Sequence, residues 1–107
     1  MLVGGKDLDV GHILENVIYL ELVRRGYEVY VGQSDSNEVD FVAMNSDGNL
    51  YIQVTATARD PSTLNRELKS LQSINDNYPK ILLTLDEDPD ADYDGIKRVN
   101  ALKWLLS

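Results

Sequence analysis

Polar and apolar residues recur with two different periods along this chain, and the changes of period mark its elements. Residues 11–25, GHILENVIYLELVRR, carry apolar side chains at helical spacing, end in two arginines that suit the negative end of a helix dipole, and stop at Gly26. Tyr27–Val31 (YEVYV) alternates as a half-buried strand does, and Glu38–Met44 (EVDFVAM) alternates again after the polar loop GQSDSN. NSDG then makes a turn. Leu50–Thr57 (LYIQVTAT) predicts a third strand with Leu50, Ile52, Val54 and Ala56 on one face and Tyr51, Gln53, Thr55 and Thr57 on the other.

Asp60-Pro61 fits the cap and first position of a second helix, running to about Asn75 on a stripe of Leu64, Leu68, Leu71 and Ile74 and broken by Tyr78-Pro79-Lys80. Ile81–Leu85 (ILLTL) is a continuous apolar run of strand length, the pattern of a strand covered on both faces. Ile96–Val99 reads as a short last strand. Asn100 fits the cap of a terminal helix that contains Trp104 and extends through Leu106. The order αβββαβ(β)α predicts an α/β (α+β) fold with a mixed central sheet flanked by helices.

The 107 residues suit one domain, 1–107, with a modest core. Cysteine is absent, which excludes disulfides and thiolate metal sites and makes the cytoplasm the expected compartment. No apolar stretch approaches the roughly 20 residues of a bilayer span, so no membrane contact is expected. A net charge of -8 opposes non-specific attraction to a polyanion, so any contact with DNA would have to be local. The sequence lacks GxxxxGK[ST], which argues against ATP binding by that route. Six carboxylates fall between Asp86 and Asp94 and predict a solvated acidic loop. Within it Asp90-x-Asp92-x-Asp94-Gly95 imitates the start of a calcium loop, but position 12 would be Ala101, where a bidentate Glu is needed.

Glu15 is the residue that breaks the pattern of the first helix. On a helical wheel it falls among Ile18, Tyr19, Leu22 and Val23, whereas Glu21, Arg24 and Arg25 gather on the side expected to be wet. A buried carboxylate costs several kcal/mol unless paired or bound to a cation, so Glu15 is expected to face polar partners. His12, the sole histidine, lies beside it and reads as a helix-start residue. With Ser46 and Asp47 at the centre of the turn, Val39 opposes Val54, Phe41 opposes Ile52 and Ala43 opposes Leu50 on one apolar face. Asp40 then opposes Gln53. Opening the loop by two residues puts Asp40 opposite Thr55 with Gln53 diagonal.

The ordered segments GHILENVIYLELVRRGYEV, EVDFV, YIQVTATARD, Thr63 with Arg66-Glu67, and NYPKILLTLD resemble a conserved domain at the C-terminus of many bacterial and archaeal AAA+ type ATPases. That family is a domain of unknown function related to the PD-(D/E)XK nuclease fold, so the resemblance implies a three-layer restriction-endonuclease-like core, αβββαβ. It also implies that the chain is a fragment of a longer ATPase polypeptide, with the ATPase domain as partner and DNA as a candidate ligand. Glu15 matches the helix acid of the motif, Asp40 the strand Asp, Gln53 the (D/E) position and Thr55 the Lys position.

In the motif carboxylates hold Mg²⁺, which polarises the scissile phosphate and acidifies its water, while lysine stabilises developing charge. Asp40, Gln53 and Glu15 are the implied metal ligands here, with Mg²⁺ bound weakly if at all. Gln53 offers a carbonyl oxygen without negative charge, and Thr55 supplies no ammonium. Arg66 or Lys69 on the second helix are the candidates for the missing cation, although Arg66 can equally pair with Glu67. The resemblance thus implies a catalytically degenerate accessory module that recognises a substrate or docks a partner. A metal-dependent endodeoxyribonuclease with a rearranged site and a pure protein-interaction module are the alternatives.

Overall fold

A computed structural model describes residues 6–33 and 38–107. Its elements are α1 (Lys6–Arg24), β1 (Glu28–Gln33), β2 (Glu38–Asn45), β3 (Gly48–Val54), α2 (Pro61–Gln72), β4 (Lys80–Thr84), β5 (Ala91–Tyr93), β6 (Ile96–Asn100) and α3 (Ala101–Leu105). The strands form one sheet in the order β1-β2-β3-β4-β6-β5. β3, β4 and β6 are parallel, whereas β1/β2, β2/β3 and β5/β6 are antiparallel, so the sheet is mixed as expected.

Helices cover both faces and make three layers. Leu14, Ile18 and Leu22 of α1 pack with Ala101 and Trp104 of α3 over Phe41, Ala43, Ile52, Val54 and Leu83. On the other face Leu68 and Leu71 of α2 pack over Tyr51, Leu82 and Ile96. Ile18, Leu22, Ile52, Leu71, Leu82 and Leu83 are fully buried, each contributing about 1.5–3 kcal/mol relative to exposure. Leu82 and Leu83 face opposite helical layers, which explains the unbroken apolar run of β4.

Gly26 ends α1 at φ +93°, where its N–H bonds to Val23 O and the Tyr27 N–H reaches back to Leu22 O. Glycine adopts that left-handed conformation without a side-chain penalty. The helix begins at Lys6, earlier than the predicted Gly11, and ends at Arg24. Arg25 then joins α1 to α3: its guanidinium stacks 4.2 Å from the Trp104 ring, donates to Trp104 O at 2.9 Å and pairs with Glu21. Asp60 caps α2 as predicted, its Oδ1 accepting the Ser62 N–H at 2.9 Å with Pro61 following, but the helix stops at Gln72 rather than Asn75.

The hairpin pairs Phe41 with Ile52 and Ala43 with Leu50, as the apolar pattern requires. Val39 departs from it. Between Tyr30↔Val42 and Gly32↔Val39 strand β2 advances three residues while β1 advances two, a bulge at Asp40-Phe41. The extra residue reverses the parity of Val39, which packs with Val42 beneath α2 while Val54 packs beneath α1. The expected Val39–Val54 face is therefore split by the bulge.

The acidic run is not one loop. Ala91–Tyr93 pairs with Ile96–Arg98, and Asp94 (φ +54°) with Gly95 (φ +93°) makes the two-residue turn between them. Asp92 Oδ1 accepts the Gly95 N–H at 2.8 Å, so the calcium-like spacing is that of a hairpin. The polar loop before β2 falls partly on residues 34–37, outside the described residues. Among the described residues no helix is long and apolar enough to cross a membrane.

Candidate functional site

Asp40 and Gln53 meet at the bulge. The Asp40 N–H donates to Gln53 Oε1, and Asp40 Oδ2 accepts the Val54 N–H at 2.8 Å. Side-chain groups thus take over hydrogen bonds where the extra residue disrupts the ladder. Gln53 is 4% exposed, and its Nε2 donates to Glu67 Oε1 of α2 at 2.9 Å. Both ends of its amide are therefore occupied by the fold. Glu67 in turn pairs with Arg66 at 3.3 Å.

Beside this buried set an open cleft of about 510 Å³ lies between α1 and the start of α2, at the end of β3. Gly11, His12 and Glu15 form one wall, Val54 to Thr57 the floor, and Thr63 and Arg66 the other wall. Glu15 is half-buried here, on the margin of the apolar face rather than within it. The structure brings Glu15, Thr55 and Arg66 to one cleft, whereas neither Asp40 nor Gln53 lines it. Lys69 is not in its lining either. Thr55 is tied into the sheet end, its N–H donating to Leu83 O and its hydroxyl to Thr57 O.

Sequence reasoning missed the residue that shapes the cleft floor. Asp86 is 7% exposed at the end of β4 and accepts the Ala58 N–H at 2.9 Å and the Thr57 hydroxyl at 2.7 Å, with Arg59 at 3.7 Å. Burial pushes its carboxyl up, but those hydrogen bonds and the nearby arginines outweigh burial and hold it below its ordinary value. The signal available in the sequence was its place directly after the apolar strand ILLTL, which the acidic run behind it obscured.

The divalent cation that the nuclease resemblance implies would have to share oxygens that the fold already uses. Gln53 Oε1 accepts one backbone N–H and Asp40 Oδ2 another, and Glu15 lines the adjoining cleft, whose floor includes Val54. Among the described residues no group of three or more histidine, cysteine, aspartate or glutamate side chains is placed to hold a metal ion. What the cleft offers is opposed charge, Glu15 against Arg66, above a floor of threonines.

Fold and site together define a three-layer α/β domain with a polar cleft at the end of a central strand. Residues 10–104 match the family described as Domain of unknown function (DUF4143), and the chain belongs to that family. It is 39% identical over 104 residues to an uncharacterized protein of Haemophilus influenzae, an alignment covering 97% of this chain and 25% of that relative. The chain thus spans about a quarter of the relative's length.

Proposed function

We propose that this chain is a nuclease-fold accessory module of an AAA+ type ATPase, catalytically degenerate, and that it serves substrate recognition or partner docking. The observation that carries the reading is the use of Gln53: the side chain at the motif's second acidic position is spent on Asp40 N–H and Glu67. With Gln53 uncharged and Thr55 in place of lysine, the motif keeps the carboxylates of Asp40 and Glu15 but lacks its second acidic charge and the cation that phosphodiester hydrolysis uses. The 25% share of the Haemophilus influenzae relative supports a place within a larger polypeptide.

The test is plasmid cleavage with Mg²⁺ and with Mn²⁺, comparing wild type, Asp40→Ala and the double change Gln53→Glu with Thr55→Lys. No cleavage by the wild type is expected. Robust wild-type cleavage abolished by Asp40→Ala would instead favour a metal-dependent DNA endonuclease with a rearranged site. Arg66, on the cleft wall opposite Glu15, is the observation in favour of that second reading. Its replacement by alanine should then remove the activity as well.

A further inference from the structure

The two edges of the sheet are finished differently. β5, at one end, is three residues long, with exposed Asp92 within it and exposed Asp94 directly after it. Short length and charge keep an edge strand from pairing with another chain. β1, at the other end, is six residues long, and Glu28 is its only charged residue. Among the described residues no strand pairs with its outer side. Tyr30 and Val31 at its middle are 53% and 72% exposed. The bulge lies in β2, so β1 keeps its own alternation and offers a regular outer row of N–H and C=O groups.

Such an edge is covered by extended backbone, and its side chains select whose. Val29 packs on the α1 side, while Tyr30 pairs with Val42 of the α2 side, which returns Val31 to the α1 side. A two-fold axis through Tyr30, perpendicular to the sheet, would run a second β1 antiparallel to the first and keep like faces together. It sets Tyr30 against Tyr30 of the second copy and Val29 against Val31. These are aromatic and β-branched pairs of the kind that stabilise adjacent strands. Glu28 falls opposite Gly32, so the one charge on the strand meets no like charge.

A net charge of -8 repels a second copy only where charges approach one another. β5 lies five strand spacings from β1, about 24 Å, well beyond the roughly 8 Å reach of charge in physiological salt. The ladder, from Glu28 to Gly32 in each copy, supplies about four to six backbone hydrogen bonds. It falls short of the roughly 1,200 Å² of a standard interface, so the association is weak and concentration-dependent.

We infer that two copies of this chain pair through β1 about a two-fold axis at Tyr30, joining two six-stranded sheets into one. The paired residues include none of the motif or cleft residues, so the outcome of the cleavage assay does not bear on it. Sedimentation velocity of the 107-residue chain should show a reversible monomer–dimer equilibrium between about 1 μM and about 1 mM. Tyr30→Lys and Tyr30→Glu each set like charges face to face across the axis and should weaken the dimer at least 10-fold. An equimolar mixture of the two should recover it, because position 30 meets only itself. Circular dichroism and unchanged urea midpoints check that both variants remain folded.

The sequence has no cysteine, so Tyr30→Cys carries a single thiol. Mild oxidation should link it into a covalent dimer faster than Asp92→Cys on β5. This comparison decides the matter if a charged variant unfolds. A wild type that stays monomeric, charged variants that remain folded and dimerise as the wild type does, or a folded mixture that stays monomeric would overturn the inference. So would linkage of Asp92→Cys as fast as that of Tyr30→Cys, or growth beyond a dimer, since two-fold pairing closes on itself.

Discussion

Asp40 and Gln53 are bonded to each other through a β-bulge: the backbone N–H of Asp40 is held by the Gln53 side-chain oxygen, and the Asp40 carboxylate holds the N–H of Val54. The two positions that match a nuclease motif therefore carry a structural duty of their own. Asp40→Ala should cost about 1–3 kcal/mol, the price of leaving a partly buried donor unpaired. Asp40→Asn, which keeps an acceptor for Val54, should recover most of that loss. Urea unfolding of the three proteins checks this, and an unchanged midpoint for the alanine variant would refute it.

Asp86 predicts a pH dependence. Its folded pKa lies below the unfolded one, so the stability it contributes is fully present above the ordinary carboxylate pKa and is lost as pH falls through the folded value. Asp86→Asn should lower stability at neutral pH by about 1–3 kcal/mol through weaker bonds to Ala58 N–H and the Thr57 hydroxyl. The gap between variant and wild type should narrow on acidification. A gap that stays constant from neutral to strongly acidic pH would show that the charge of Asp86 is not what stabilises the loop.

Gly48 closes the β2–β3 turn at φ +132°, with the Tyr78 ring against the place a Cβ would occupy. Gly48→Ala should therefore cost about 1–3 kcal/mol from backbone strain, with the collision added. Combining it with Tyr78→Ala should return the collision component alone. Thermal melts of the single and double variants measure the split, and additive losses would refute the contact.

The sequence by itself determined the element order apart from β5, the helix stop at Gly26, the Asp60-Pro61 start of α2, and the pairing of Phe41 with Ile52 and Ala43 with Leu50. These are local: a period, a cap or a turn is complete within a few residues. The Asp94-Gly95 hairpin was legible in the same way, since Asp-Gly is a strong two-residue turn signal, but the surrounding carboxylates pointed to a solvated acidic loop. Only the tertiary structure decided the bulge that turns Val39 beneath α2, because one extra residue in a strand leaves the alternation of each half intact. It also decided which stripe of an apolar-rich helix faces the sheet. Leu14, Ile18 and Leu22 are buried while Val10, Ile13, Val17 and Leu20 are not, and Glu15 is left at the margin between cleft and core. A wheel gives the angle between stripes, and the neighbouring layer supplies the direction.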